Sequence, residues 1–293
     1  MSSDVRYTEE ISRLKPSVIF FLVDQSGSMT DPFGGMLEGV TNPSKAQGAA
    51  DALNRCISNI VIRCTKEEGI RDYFHVGVIG YGATVGPALG GPLSGSDLVP
   101  VSELGATPLR IEDRVQMVSD RAGGLVETSI KFQVWVDPTG DGRTPMCEAL
   151  QACKVVLERW VTDHPDSYPP TVINITDGAS TDGDPRSPAE DLARLSNTNG
   201  SSLLLFNIHL CDSRVPSVLY PSDDGGLTDS YAKQLFEMSS LLPAKLVSEA
   251  AAGGLPVVEG ARGFVFNAGL ENLIQFLDIG TRVVGMADVR PGR

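Results

Sequence analysis

Seven consecutive residues, Ser17 to Val23 (SVIFFLV), constrain this chain more than any other feature. The run is apolar almost throughout and rich in β-branched and aromatic side chains. That is how a strand buried on both faces reads in a parallel sheet. Parallel strands need long crossovers, and the sequence supplies helices to make them. Ser44 to Cys64 follows, with Ser44 as N-cap and Ala46, Ala49, Ala50, Leu53, Ile57, Ile60 and Val61 recurring at helical spacing. Tyr73 to Ile79 is the next strand.

The alternation continues almost to the end. A helix is expected from Pro145 to about Trp160, a buried strand at Thr171–Thr176, a helix at Ser187–Ser196 and a strand at Leu203–Leu210. Ser230–Ala252 reads as helical with a break at Pro243; Arg262–Asn267 and Leu270–Val284 supply a last strand and helix. Residues 82–128 interrupt the rhythm, being rich in Gly, Pro and Ser and then charged. Arg110–Val118 and Thr128–Val136 alternate apolar and polar residues. The first is a strand or a short helix, and the second a strand, antiparallel at the sheet edge. The predicted fold is therefore α/β: a Rossmann-like, doubly wound, mostly parallel central sheet flanked by helices, with one antiparallel edge strand. One domain is expected over residues 1–293, its core spanning about 15–285, with an insertion or extended edge region at 82–128.

Composition excludes several function classes. No apolar run approaches the ~20 residues of a membrane span. The first residues, MSSDVRYTEEISRLKP, are partly acidic and lack an apolar core, so they do not read as a signal peptide. Five cysteines (Cys56, Cys64, Cys147, Cys153, Cys211) contain no CxxC pair, which suits reduced thiols in a cytoplasmic protein. A formal net charge of −13 argues against nucleic acid as the main partner.

In open α/β sheets, ligands bind at the carboxyl ends of the strands. Three segments there carry a distinctive set of oxygens: Asp24-Gln25-Ser26-Gly27-Ser28, Gly142-Arg143-Thr144-Pro145 and Asp177-Gly178-Ala179-Ser180. Hard cations such as Mg²⁺ take oxygen ligands in an octahedron, use few protein carboxylates and keep several waters. Asp24, Ser26 and Ser28, at alternate positions, can aim at one point, with Gly27 permitting the tight turn. Thr144 and Asp177 would arrive from neighbouring strand ends. Two carboxylates match a doubly charged ion, and the hydroxyls complete the shell without adding charge.

These segments resemble the von Willebrand factor A family. FFLVDQSGSM is similar to its DxSxS motif, GRTP before a helix to its threonine loop, and VINITDGAST to its aspartate loop. The resemblance covers roughly residues 15–285. It implies a metal-ion-dependent adhesion site built from Asp24, Ser26, Ser28, Thr144 and Asp177, holding Mg²⁺ (or Mn²⁺ or Ca²⁺). In that family the serines and threonine coordinate directly, the aspartates often act through water, and a partner's carboxylate fills the open position. Members without a signal peptide often work beside MoxR-type AAA+ ATPases, or beside kinase and phosphatase proteins of stress or defence systems. The implied function is non-enzymatic, cation-dependent binding of a protein that presents Asp or Glu.

Each site residue has a plainer reading as turn chemistry, because Asp, Ser and Gly populate strand-to-helix turns. The coincidence of three loops outweighs it. Other motifs carry less. Gly80–Gly86 imitates a dinucleotide loop but is followed by PALGGPLSG, which cannot open a helix. Asp137–Gly142, with Glu148 at the twelfth position, imitates an EF-hand loop, yet KFQVWV before it is a strand. Asp182-Gly183-Asp184 reads as solvated surface. His209 reads as a hydrogen-bonded core residue, and Trp135 and Trp160 as packing. Ser26 has no histidine placed to activate it, and GxSxG is absent. Two alternatives remain: a scaffold with a purely structural metal, and a Mg²⁺-dependent phosphohydrolase of the haloacid-dehalogenase type. The latter wants a second carboxylate where Ser26 stands.

Overall fold

The computed structural model describes residues 6–33, 42–119, 125–211, 216–227, 229–252 and 254–267. β1 (Ser17–Asp24) is buried along its whole length and is followed by α1 (Lys45–Cys64). Ser44 starts the helix as expected. Its side chain accepts the Gln47 N–H at 3.2 Å, while Gln47 Oε1 accepts the Ser44 N–H at 2.8 Å. That reciprocal cap contributes about 1 kcal/mol. A small turn pairs β2 (Thr65–Lys66) with β3 (Gly69–Ile70) and leads to β4 (Phe74–Tyr81). Next come β5 (Val85–Pro87), β6 (Val99–Pro100), α2 (Val101–Ala106), β7 (Arg110–Ser119) and β8 (Leu125–Val134). The chain continues through α3 (Met146–Asp163), β9 (Thr171–Thr176), α4 (Arg186–Ala193), β10 (Leu204–His209) and β11 (Val218–Leu219). It then forms α5 (Ser230–Met238), α6 (Ala244–Ala252) and β12 (Phe264–Phe266).

The main sheet has the order β11-β12-β10-β9-β1-β4-β5, with β6 also on β4. Strands β12, β10, β9, β1 and β4 run parallel. Alternate residues of β1 enter two cores. Ile19, Phe21 and Val23 pack with α1, α2 and α6, whereas Val18, Phe20 and Leu22 pack with α3, α4 and α5. Each such side chain contributes roughly 1.5–3 kcal/mol by burial, which is why the run is apolar without interruption. β1 connects through α1 to β4 on one side, and the chain later returns to β9 on the other. The carboxyl ends of β1 and β9 thus lie where the strand order reverses, the usual place for a ligand in such sheets.

A polar row crosses the α3–α5 side of the sheet. The Tyr81 hydroxyl donates to Asn174 Oδ1 at 2.7 Å, Asn174 Nδ2 donates to Asn207 Oδ1 at 3.0 Å, and Asn207 Nδ2 donates to Ser239 Oγ at 3.0 Å. None of the four is more than 1% exposed. Each finds a partner, as buried polar groups must.

The structure alters the expectation for residues 82–136. Arg110–Val118, left open between strand and helix, lies in strand β7. Thr128–Val136 is not an edge of the main sheet: β8 pairs with β7 from Arg110↔Val134 to Ser119↔Leu125 in a separate antiparallel ribbon. Alternation identifies a strand but not its partner, and here the nearest complementary run takes it. The antiparallel edges come instead from β5 and β6 on β4 and from β11 on β12. The ribbon's base lies against α1. There the Arg114 guanidinium sits 3.5 Å over the Phe132 ring and pairs with Asp51, which also holds Arg55 Nε at 2.9 Å. Just beyond β8, buried Asn54 of α1 accepts the N–H groups of Trp135 and Val136 at 2.8 and 3.0 Å. Its amide donates to the Val136 carbonyl at 2.9 Å. The Ser230–Ala252 helix is broken before Pro243, as expected, into α5 and α6. The helix expected at Leu270–Val284 lies outside the described residues. Among the described residues no helix is long and apolar enough to cross a membrane.

Candidate metal centre

Asp24 ends β1 with its side chain buried at 1% exposure. Both carboxylate oxygens are engaged: Oδ1 accepts the Ser26 N–H at 2.9 Å, and Oδ2 accepts the Thr176 hydroxyl at 2.6 Å. Burial pushes the Asp24 pKa above the usual carboxylate range; the hydrogen bonds from Ser26 and Thr176 oppose this, and the charge of Asp177 adds to it. A nearby cation would favour the ionised form. The first bond bends the chain into a turn that leads into a short 3₁₀ segment, Gly27–Thr30, and leaves both serine hydroxyls on the same side. Ser26 Oγ and Ser28 Oγ are 3.1 Å apart, and the Ser28 hydroxyl donates to Asp177 Oδ1 at 2.7 Å. Ser26 is buried and Ser28 is exposed, so the cluster opens to solvent at Ser28.

Four of the five sequence-predicted residues, Asp24, Ser26, Ser28 and Asp177, thus form one continuous hydrogen-bonded chain. Thr144 joins through its backbone. Its N–H donates to Thr181 Oγ1 and its carbonyl accepts the Thr181 N–H, both at 3.0 Å, which ties it to the loop that carries Asp177. Its own loop is tied to the first one, since the Gly27 N–H donates to the Gly142 carbonyl at 3.1 Å and the Asp141 N–H to the Gln25 carbonyl at 2.7 Å. Gly82 and Gly142 permit this approach. A Cβ on Gly82 would stand 2.5 Å from the Gln25 carbonyl oxygen, and one on Gly142, whose φ is +83°, 2.3 Å from the Ala83 nitrogen.

The donor set fits a hard divalent cation. Ligand oxygens at ~2.1 Å from an octahedral Mg²⁺ are separated along each edge by ~3 Å, and the Ser26–Ser28 and Ser28–Asp177 spacings of 3.1 and 2.7 Å match that. Among the described residues no group of three or more His, Cys, Asp or Glu side chains assembles. The arrangement is two carboxylates plus hydroxyls, which suits Mg²⁺ rather than a soft transition metal.

Three contributors were not singled out from sequence. Thr176 holds Asp24 from the next strand, and its only signal is its place before Asp177. Lys45, the first residue of α1, donates from Nζ to Asp177 Oδ2 at 2.8 Å and lies 4.0 Å from Asp31. No local pattern marks it. Asp182, read as solvated surface, is exposed but also caps α3 from another loop, accepting the N–H groups of Cys147 and Glu148 at 3.1 and 2.9 Å. Partial burial raises its pKa, yet the Ser180 hydroxyl and those N–H groups outweigh this and hold it below the usual value.

The other motifs take the following places in the structure. Gly80–Gly86 forms the β4–β5 hairpin rather than opening a helix. It borders a cleft of about 230 Å³ that reaches the first loop only through Gln25. In the EF-hand imitation Asp137 pairs with Arg110 at 2.6 Å. His209 is buried as expected and stacks on Phe266 at 5.4 Å, but its Nδ1 has no hydrogen-bond partner, contrary to the expectation of a bonded core histidine. No disulfide joins any of the five cysteines, all among the described residues, and Trp135 and Trp160 are buried in packing.

No family model and no curated protein matches the chain. Solved structures to which it is similar include manganese-loaded TRAP from Plasmodium vivax, at 15% identity and TM-score 0.42 over 92% of this chain and 75% of that one. Another is the ArnB paralog VWA2 from Sulfolobus acidocaldarius, at 14% identity and TM-score 0.34 over 68% of this chain and 36% of that one. A third is the vWF domain of the pilus tip protein Mfa5 from Porphyromonas gingivalis, at 15% and 0.30 over 57% and 39%. With TM-scores below 0.5, the fold class rests on this chain's own sheet order, and the site on its own loops.

Proposed function

We propose that this chain is a von Willebrand factor A-type protein-binding module whose three loops hold one divalent cation, Mg²⁺ before Mn²⁺ or Ca²⁺. The observation that carries this reading is the convergence of Ser26, Ser28 and Asp177 oxygens at octahedral-edge spacing above a buried, doubly hydrogen-bonded Asp24. When bound there, the cation supplies a Lewis-acid position for a carboxylate of a partner protein. The chain's residues do the rest. Asp24 fixes the Ser26 turn, Thr176 fixes Asp24, and the Thr144–Thr181 pair holds two loops at one spacing. Ser28 is exposed at the edge of the cluster, where a partner would lie. Asp24 and Asp177 together balance the charge of a divalent cation, which leaves the cation's open position free to take the carboxylate of an incoming Asp or Glu. No catalysis is proposed, because the acid/base carboxylate a phosphohydrolase needs is replaced by Ser26. Cytoplasmic location, and a partner such as a MoxR-type AAA+ ATPase or a kinase or phosphatase system component, are the settings this reading fits.

The test compares wild type with Asp24→Ala and Thr144→Ala. Binding to the folded state alone stabilises by ~2.7 kcal/mol at a hundredfold excess of free cation over its dissociation constant. The melting temperature of wild type should rise with Mg²⁺, that of Asp24→Ala should not, and proteins retained from lysate with Mg²⁺ should be released by EDTA. Thr144→Ala should fold normally without cation yet lose partner retention. A wild-type melting curve indifferent to Mg²⁺ and Mn²⁺ would sink the reading. Normal partner retention by Thr144→Ala would reduce any bound ion to a structural one.

A further inference from the structure

Asp177 stands at the centre of the candidate site, yet both of its oxygens have donors from the chain itself. Oδ1 takes the Ser28 hydroxyl at 2.7 Å, and Oδ2 takes the Lys45 ammonium at 2.8 Å. The lysine is placed there by construction. It is the first residue of α1, its N–H is bonded to the Asp31 carbonyl at 2.9 Å, and the capping box at Ser44 fixes where the helix starts. Its side chain is only 12% exposed and that of Asp177 only 1%, so the pair is shielded from solvent and salt. Asp31 Oδ2, at 4.0 Å and largely exposed, offers a second resting place for the same ammonium.

A positive charge held against one carboxylate of a two-carboxylate cation site cannot be neutral toward the cation. Like charges a few ångströms apart in a partly buried site repel strongly, and a cation on Asp177 Oδ1 would stand that close to the ammonium on Oδ2. We propose that Lys45 is a tethered counter-cation that holds Asp177 in the cation-free state and must swing off it, toward Asp31 and solvent, for a divalent cation to bind. This rests on the cation reading above and adds to it. The lysine weakens cation affinity, keeps the empty site folded and makes loading reversible.

The experiment titrates Mn²⁺ into wild type, Lys45→Gln and Lys45→Arg by calorimetry, with cation-free melting curves to verify folding. Lys45→Gln should bind Mn²⁺ roughly tenfold or more tightly, while Lys45→Arg, which keeps the charge, should stay near wild type. Equal affinity in wild type and Lys45→Gln overturns the proposal and leaves the cation site standing. Absence of Mn²⁺ binding in all three overturns the cation reading itself, and the proposal with it. A second measurement needs no variant. Reductive methylation of wild-type Lys45, read by peptide mass spectrometry, should speed up when Mn²⁺ is added. Binding without faster methylation shows that the lysine has not moved and overturns the exchange.

Discussion

The loops at the ends of β1 and β9 and the β7–β8 ribbon are both dense in hydrogen bonds, but they spend them differently. The ribbon pairs within itself: ten residues of β7 lie opposite ten of β8, and near its base Arg114 and Phe132 meet Asp51 and Arg55 of α1. The site loops satisfy one another. Asp24 bonds Thr176, Ser28 bonds Asp177, Gly27 bonds Gly142 and Thr144 bonds Thr181, each link joining two different loops or strands. A ribbon of the first kind can be changed without informing its neighbours. A cluster of the second kind transmits any displacement, which suits a site whose geometry must stay within tenths of an ångström.

The largest expected effect comes from cutting the joint between the two regions. Asn54→Ala would leave two N–H groups and a carbonyl of Trp135 and Val136 buried without partners. Roughly 3 kcal/mol or more of stability should be lost, seen as a lower urea midpoint. A loss below 1 kcal/mol would mean that the segment after β8 is not anchored there. Arg114→Met comes next. It keeps bulk over Phe132 but leaves Asp51 with Arg55 alone, and should cost roughly 1–2 kcal/mol. The Mg²⁺-dependent rise in melting temperature should survive this change intact; if it disappears, ribbon and site are one unit and the contrast fails.

The smallest effect lies at neither region and serves as a control. His75 is half-buried, its Nδ1 has no hydrogen-bond partner, and it faces His164 at 5.9 Å and Trp160 at 6.4 Å. Burial holds its pKa below the ordinary value, with the charge of His164 adding and that of Asp72 opposing. The folded state therefore binds this proton less readily than the unfolded chain. Its contribution is fully present above the ordinary imidazole value of about 6.5 and is lost as pH falls from there through the lower folded-state value. Melting temperature should decline on acidification, less so in His75→Gln. An identical decline in both proteins assigns it to other groups.

The contrast also explains what could be read from sequence. β1, β9 and β10 are buried on both faces, so their apolar runs announce a central parallel strand without reference to any neighbour. The site motifs are equally local, since Asp24, Ser26 and Ser28 lie within five residues and each remaining ligand candidate adjoins a strand or helix end. The ribbon was half legible. Its alternation marked strands, but nothing in Thr128–Val136 says that its partner is Arg110–Ser119 rather than β4. Lys45, Thr176 and Asp182 act on residues far away in the chain, and a single lysine, threonine or aspartate carries no period or spacing to betray such a role.

The polar row from Tyr81 through Asn174 and Asn207 to Ser239 has a consequence for alignment. A parallel strand that slips by two residues keeps every apolar side chain on its proper face, so runs such as SVIFFLV and TVINIT tolerate either setting. Such a slip moves a strand by roughly 6.6 Å and would strand these amides among hydrocarbon. Only one setting of β4, β9 and β10 lets all of them bond. The same setting fixes the height of Asp177, which follows β9 and meets Ser28 at 2.7 Å. Four side chains outside the candidate ligand set thus hold one wall of the site at its level.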